Sequence, residues 1–136
     1  MKKTILIVED NDLNMRLFTD VLEVYGYRVL QARDGAPGLE MARQHRPDLI
    51  LLDVQLPGVS GLDLAHQLKQ DEVLREIPVI AVTALAMKGD EARIREAGCD
   101  AYLSKPVSIP KFLAAVRQYV GETEADREVR RLARSA

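Results

Sequence analysis

The sequence contains little of what builds disulfide-bonded, zinc-binding or membrane-spanning proteins. Cys99 is the only cysteine among 136 residues, which excludes a disulfide within the chain and any cysteine-based zinc site. No segment approaches the roughly 18 apolar residues of a membrane span, so we expect no membrane insertion. The amino-terminal segment MKKTILIVED holds an apolar pentad that ends on two acids, too short for the core of a signal peptide. We therefore expect a cytoplasmic protein.

An excess of charge of one sign is also lacking. The 19 lysines and arginines nearly balance the 21 aspartates and glutamates, which leaves a formal net charge of −2. The sequence therefore has no overall basic field that would hold nucleic acid. Its length predicts one domain with a single core, which we place at residues 1–121. Residues 122–136 are dense in charge and poor in large apolar side chains, so we predict a separate tail there.

Short aliphatic runs alternate with segments of helical periodicity. The runs predict strands at residues 5–8, 27–32, 49–52, 79–82 and 100–104. The first helix is predicted between Asn11 or Asp12, either of which can cap it, and Gly26. The apolar residues that recur along it at helical spacing are Leu13, Leu17, Val21 and Val24. Further helices are predicted at residues 36–45, 60–70, 87–97 and 108–120. This alternation predicts an α/β fold, a single doubly wound sheet of five parallel strands with helices on both faces.

Polar side chains follow four of these strands at the points where the strands end. They are Glu9 and Asp10 after the first, Asp53 after the third, Thr83 after the fourth and Lys105 after the fifth. Because the carboxyl ends of parallel strands share one edge of a sheet, we expect these side chains to converge. Carboxylates in one pocket repel each other unless a counter-charge is present. Mg²⁺, a hard cation that takes oxygen ligands, fits this set best.

Asp53 is the candidate nucleophile of the set. It ends the most hydrophobic strand, and an aspartate can form an acyl phosphate. The Thr83 hydroxyl and the Lys105 ammonium, together with a metal, could neutralise the oxygens of a phosphoryl group in transfer. Taken alone, Asp53 is equally consistent with a strand-capping or salt-bridged aspartate, and the other positions with caps or surface charges. Their joint occurrence favours phosphoryl transfer.

These residues resemble the receiver domain of bacterial two-component response regulators. The pattern comprises Glu9-Asp10, Asp53 followed by Leu56-Pro57-Gly58, Thr83-Ala84 and Lys105-Pro106. It is specific, because all five motif positions occur in order between residue 2 and about residue 120. The wider segments VEDNDLNMRLF, VTALAMKGDE and CDAYLSKP resemble the single-domain, DivK-type regulators of cell-cycle and polarity signalling.

The resemblance implies a fold, a cofactor and a role for each matching residue. The fold would be the flavodoxin-like (βα)5 sheet with strand order 2-1-3-4-5. Asp53 would accept a phosphoryl group, and Thr83 and Lys105 would contact it. Mg²⁺ would be held by Glu9, Asp10, Asp53 and the backbone carbonyl of Gln55. Tyr102 would be the aromatic that moves inward on activation, and the Lys105–Pro106 bond would be cis.

The implied partners are histidine kinases or phosphotransfer proteins, and acyl phosphates are the only expected small-molecule substrates. No DNA-binding output domain is expected in the short tail, so signalling would occur through protein–protein contact rather than through an enzymatic activity. Its arginines, at positions 127, 130, 131 and 134, belong either to a solvated or frayed helix or to a contact surface for a partner.

Three other functions remain open from the residues. An aspartyl phosphatase of the haloacid-dehalogenase type would need a second acid two residues after the nucleophile, where this chain has Gln55. A degenerate receiver that acts as a constitutive binding module is disfavoured by the intact motif. A flavodoxin is disfavoured because the sequence has no phosphate-cradling glycine loop.

Overall fold

The computed structural model describes residues 2–56, 60–84 and 90–135. Within these ranges the chain forms five strands, six α-helices and a short 3-10 turn at Leu74–Glu76. The strands are β1 (Thr4–Val8), β2 (Arg28–Ala32), β3 (Leu49–Asp53), β4 (Val79–Thr83) and β5 (Ala101–Ser104). The helices are α1 (Asp12–Val24), α2 (Gly35–His45), α3 (Gly61–Gln70), α4 (Asp90–Glu96), α5 (Ile109–Val120) and α6 (Glu124–Ser135).

The strands form one parallel sheet in the order β2-β1-β3-β4-β5, which confirms the predicted fold. β3 and β4 are buried along their whole length, as expected for central strands that are covered on both faces. One face of the sheet packs against α1 and α5, where the Phe18 and Phe112 rings stack with centroids 5.1 Å apart. The other face packs against α2, α3 and α4. Two apolar layers therefore hold the strand ends in place.

Side-chain caps fix the beginnings of the three helices that follow β1, β3 and β5. Asn11 accepts a hydrogen bond from the Asn14 amide at the start of α1. Ser60 and Ser108 do the same for the third residue of α3 and α5. Each bond satisfies an amide that the helix itself leaves unpaired, which contributes about 1 kcal/mol. Each cap therefore fixes the residue at which its helix begins.

The apolar spacing that the sequence shows in α1 marks an exposed face of that helix. Leu13 is 79% exposed, Leu17 44% and Val24 68%. The face that packs on the sheet carries instead Met15, Phe18 and Leu22. Both sets recur at helical spacing, and the set with the larger Phe and Met side chains fills the space above the sheet. The predicted helix is present, but three of the four residues of its predicted stripe lie on the surface, and only Val21 packs, partly buried, against the core.

Other differences from the sequence predictions are local. The turn predicted at Pro57 and Gly58 lies outside the described residues, as do the first residues of the helix predicted at 87–97. The turn at Leu74–Glu76 was not predicted, and Asp71 stabilises it by accepting hydrogen bonds from the amides of Val73 and Leu74. No helix in the described part of the chain has both the length and the apolar character needed to cross a membrane.

The charged tail contains a sixth helix whose first turn docks on the domain. Thr123 caps α6 by accepting a hydrogen bond from the Asp126 amide. The Asp126 side chain is fully buried. Arg117, on α5, donates two hydrogen bonds to its Oδ1 at 3.0 and 2.7 Å. The Tyr27 hydroxyl lies 3.2 Å from its Oδ2 and 2.9 Å from the carbonyl oxygen of Gly121. This network joins α5, α6 and the corner between α1 and β2.

Candidate functional site

The strand register brings the predicted site residues to one edge of the sheet. Val8 pairs with Leu52, so Glu9 and Asp53 follow neighbouring paired residues. Asp53 pairs in turn with Val82, the residue before Thr83. Thr83 pairs with Ser104, and the Lys105 amide donates a hydrogen bond to the Thr83 carbonyl at 2.8 Å. Residues that are up to about one hundred positions apart in sequence therefore meet because parallel strands end together.

Three carboxylates lie at this edge of the sheet, two of them buried and one exposed. Glu9 and Asp53 are buried, with 1% and 3% exposure, whereas Asp10 is exposed. One oxygen of each lies within 4.8 Å of the others, a separation that a single metal ion could bridge. The Gln55 amide donates to Asp53 Oδ1 at 2.9 Å, and the Asn11 amide donates to Glu9 Oε2 at 3.3 Å. Backbone amides therefore orient both buried carboxylates.

Lys105 is the cation that faces these carboxylates. Its Nζ lies 3.1 Å from Asp53 Oδ2 and 3.0 Å from Glu9 Oε1. Burial acts to lower the pKa of Lys105, but the bonds to Glu9 and Asp53 outweigh burial and raise it. Lys105 is therefore charged at neutral pH. The peptide bond from Lys105 to Pro106 is cis.

One cation does not balance this set of carboxylates. The pKa of Glu9 is raised to about 7, chiefly because burial penalises its charged form, with a further contribution from Asp53. Glu9 Oε1 lies within ion-pair distance of Lys105, yet no described group donates a hydrogen bond of acceptable geometry to it. A buried carboxylate oxygen without a donor, beside two further carboxylates, is a donor set that fits a hard divalent cation.

Thr83 and Tyr102 lie on the adjoining strands β4 and β5. Thr83 is fully buried at the end of β4. Tyr102 is half-buried, and its hydroxyl lies 3.4 Å from Oε2 of Glu91, on α4. Tyr102 pairs in the sheet with Ala81, two residues before Thr83. The structure therefore places the two predicted switch residues on neighbouring strands and links Tyr102 to α4.

Gly61 supports the site and was not recognised from the sequence as part of it. A Cβ atom at this position would lie 2.2 Å from the carbonyl oxygen of Asp53 and 2.7 Å from the Cα of Val54. The Gly61 amide also donates to the Val54 carbonyl at 3.0 Å. The first residue of α3 therefore packs directly on the backbone of Asp53. A glycine immediately after the Ser60 cap, where a better helix former is expected, was the available signal.

Comparison with known protein families matches residues 5–117 to the response regulator receiver domain. The chain belongs to this family. The match confirms the resemblance seen in the motif residues. DivK of Brucella anthropi, a polar-differentiation response regulator, is 57% identical to this receiver over 122 residues. That alignment covers 90% of this chain and 99% of DivK.

Solved structures of other receivers have the same fold. A putative response regulator from Chloroflexus aurantiacus has a TM-score of 0.85 at 29% identity, over 90% of this chain and 100% of that one. The receiver domain of a sensor histidine kinase from Pseudomonas aeruginosa PAO1 has a TM-score of 0.82 at 33% identity, with the same coverage. In that second structure a magnesium ion is coordinated in the active site cleft.

Proposed function

We propose that this receiver accepts a phosphoryl group on Asp53 from a phosphohistidine and signals through phosphorylation-dependent protein contact. The observation that carries the proposal is the placement of Asp53, a buried carboxylate at the centre of the sheet edge. Its two oxygens accept hydrogen bonds from the Gln55 amide and from Lys105. The similarity to DivK supports a phosphorelay that serves polarity and cell-cycle control.

In the proposed reaction a carboxylate oxygen of Asp53 attacks the phosphorus of the phosphohistidine. The new O–P bond forms as the N–P bond breaks, and the imidazole nitrogen leaves with the electron pair of that bond and takes up a proton. Lys105 lies 3.1 Å from Asp53 Oδ2, where its charge offsets the charge on the transferring oxygens. The Thr83 hydroxyl, at the neighbouring strand end, is the second donor to these oxygens.

Glu9, Asp10, Asp53 and the backbone carbonyl of Gln55 would hold Mg²⁺. The close approach of the three carboxylates and the orphaned Glu9 Oε1 support this assignment. When bound, the ion supplies positive charge to the phosphoryl oxygens in transfer. The protein's own part is to orient the two buried carboxylates through the Asn11 and Gln55 amides.

Phosphorylation changes the charge at Asp53 from −1 to nearly −2 and adds three acceptor oxygens. In our proposal Thr83 moves toward these oxygens, and Tyr102 moves into the space that it leaves. The bond between Tyr102 and Glu91 would then break, which alters the surface formed by α4, β5 and α5. A partner that binds this altered surface would read the signal.

The exposed stripe of α1 is the surface on which we place the phosphodonor. α1 begins directly after its cap Asn11, whose amide donates to Glu9, so the helix starts at the mouth of the site. Leu13, Leu17 and Val24 lie exposed along it. Apolar side chains that are unpartnered and next to a reactive group are typical of a protein docking surface. A helix that carries the phosphohistidine could pack here and present it to Asp53.

Phosphorylation by a small acyl phosphate tests the first part of the proposal. Incubation with acetyl phosphate and Mg²⁺ should add one phosphoryl group to the intact protein, as measured by mass spectrometry. Asp53→Asn should remain unmodified, whereas Asp63→Asn, at an exposed carboxylate in the first turn of α3, should be modified as the wild type is. Modification that persists in Asp53→Asn would sink the assignment.

The role of Thr83 is tested separately. Thr83→Ala should still be phosphorylated by acetyl phosphate, yet its affinity for a phosphorylation-dependent partner should not increase. A normal increase in partner affinity for this variant would remove Thr83 from the switch.

A further inference from the structure

Helix α6 is anchored to the domain through its first turn. The anchor consists of the buried Asp126 with its partner Arg117, and of Thr123, whose hydroxyl donates to the carbonyl of Tyr25. Gly26 adopts a φ of 88° beneath this turn, and a Cβ atom there would lie 3.1 Å from the Cβ of Ala125. The first turn of α6 therefore rests on the corner that ends α1.

Beyond this anchor the side chains of α6 face solvent. Every side chain from residue 127 to residue 134 is exposed. The four arginines recur at positions 127, 130, 131 and 134, a spacing that places them on one face of the helix. Val129 and Leu132, which are 38% and 55% exposed, lie on the opposite face. The helix thus presents a guanidinium stripe and an apolar stripe to solvent.

Among the described residues, two of these arginines have a carboxylate partner and two have none. Arg130 pairs with Glu122 and Arg131 with Glu128. No carboxylate of the described residues forms an ion pair with Arg127 or Arg134. Residues 127–135 contain four arginines and one glutamate, so their formal charge is +3. Because the whole chain has a formal charge of −2, the remaining residues carry −5. Lys2 and Lys3 line the same crevice as Arg127, together with Glu122 and Glu124.

The first turn of α6 lies at the corner where the exposed stripe of α1 ends. The stripe of Leu13, Leu17 and Val24 runs from the mouth of the site to the corner at Gly26, where α6 begins. Thirteen residues of α1 span about 20 Å at 1.5 Å per residue. Among the described residues of α5, which also ends near α6, no large apolar side chain is exposed. Of the two helices that end near α6, only α1 offers exposed apolar side chains in its described residues. A partner that binds both an apolar surface and α6 therefore packs along α1.

We infer that α6 is a docking arm for the phosphodonor, and that it binds an acidic patch of the donor at the end of α1 opposite the phosphohistidine. This inference rests on the proposed function, because it assumes that the donor packs on α1. Complementary charge across the rim of an interface accelerates association and selects among partners. The match to the receiver family ends at residue 117, before α6 begins, so the arm is an addition of this chain to the common domain.

The test compares phosphotransfer to two variants that lose the same charge. In Arg127→Gln/Arg134→Gln, the neutralised residues are the two arginines of α6 that have no ion pair among the described residues. In the control, Arg43→Gln/Arg75→Gln, two exposed arginines are neutralised that belong to α2 and to the 3-10 turn. The donors are the histidine kinases of the source organism, each purified and autophosphorylated with radiolabelled ATP. The donor with the fastest transfer to wild-type protein is then used to measure kcat/KM.

The α6 variant should show kcat/KM about fivefold or more below wild type at low salt, and the difference should vanish at high salt. The control should stay within twofold of wild type. Both should be phosphorylated by acetyl phosphate at the wild-type rate. A value of kcat/KM for the α6 variant within twofold of wild type would overturn the docking arm. Equal losses of kcat/KM in both variants would also overturn it. The same holds if the α6 variant loses binding to an anionic vesicle or oligonucleotide while its rate of phosphotransfer is unchanged. Failure of acetyl phosphate to modify wild-type Asp53 would refute the proposed function instead.

Discussion

Lys105 and Asp53 are joined across the sheet edge by a contact of 3.1 Å between Nζ and Oδ2. Both side chains are largely shielded from solvent, with 19% exposure for Lys105 and 3% for Asp53. An ammonium held this close to the acceptor carboxylate needs little movement to reach the oxygens of a phosphoryl group bonded to it. The pair therefore presents the positive charge before the reaction begins.

Replacement of Lys105 by methionine should slow the phosphorylation of Asp53. The variant keeps a side chain of similar length but loses the charge that offsets the transferring oxygens. Loss of one such preorganised donor lowers a rate by about 10²-fold. The initial rate with acetyl phosphate, followed by intact-mass spectrometry, measures the effect. Lys111→Met, at an exposed lysine on α5, is the matched control and should react at the wild-type rate. Equal rates for the two variants would contradict the role of Lys105.

Gly61→Ala should disturb the backbone that positions Asp53. Its Cβ would lie 2.2 Å from the backbone oxygen of Asp53, so either α3 or the Asp53 backbone must move. We expect a loss of about 2–4 kcal/mol in the free energy of unfolding, since overpacking against backbone leaves no flexible side chain to yield. Phosphorylation by acetyl phosphate should slow in parallel.

Gly38→Ala provides the comparison for this prediction. A Cβ at Gly38 would lie closest to the methyl groups of Val8, at 3.0 and 3.2 Å, and 3.7 Å from the Cβ of Ala32. The side chain can adjust, so both stability and the rate of phosphorylation should change less than in Gly61→Ala. Urea unfolding measures the first quantity. A Gly61→Ala protein as stable and as reactive as Gly38→Ala would show that the close approach has no consequence.

The sheet and the convergence at its edge follow from local sequence. Aliphatic runs such as Leu49–Asp53 identify buried strands, and the alternation with helices makes the strands parallel. Once the strands are parallel, the residues that follow them lie at the same edge of the sheet, and the strand order decides which of them are neighbours. This is why Glu9, Asp53 and Thr83 were identified correctly as neighbours from their chain positions.

The features that were missed depend on contacts between distant elements. Two stripes of α1 have the same spacing, so only packing shows that Phe18 is buried and Leu13 exposed. Gly61 stands out in sequence only as a glycine after a helix cap, and its contact with the Asp53 backbone is seen only in the structure. Asp126 belongs to a run of charges that predicts a solvated helix, yet it is buried because Arg117 satisfies it. Periodicity and composition carry no information about such pairings.

Replacement of Asp126 by alanine should release α6 from the domain. The change leaves Arg117 without its carboxylate and removes an acceptor of the Tyr27 hydroxyl. We expect a loss of about 2–4 kcal/mol in the docking of α6, the usual cost of breaking a buried charged pair. Hydrogen exchange at residues 121–130 should accelerate accordingly. Glu128→Ala, which removes an exposed ion pair with Arg131, should change the exchange little. Similar exchange in both variants would mean that the Asp126 network does not hold the helix.

Ionisation of Tyr27 should destabilise the fold at alkaline pH. Burial first, and then the negative charge of Asp126, raise the pKa of Tyr27 to about 12. The folded protein thus holds the phenolic proton more tightly than the unfolded chain, in which a tyrosine has a pKa of about 10. Its contribution, about 2–3 kcal/mol, is fully present below pH 10 and is lost as the pH rises toward 12. Urea unfolding of wild type between pH 8 and pH 12 should show this decline. Tyr27→Phe should lose about 1–2 kcal/mol at neutral pH, because two hydrogen bonds disappear. Over the alkaline range its stability should fall less than that of wild type, and an equal fall would exclude Tyr27 as the titrating group.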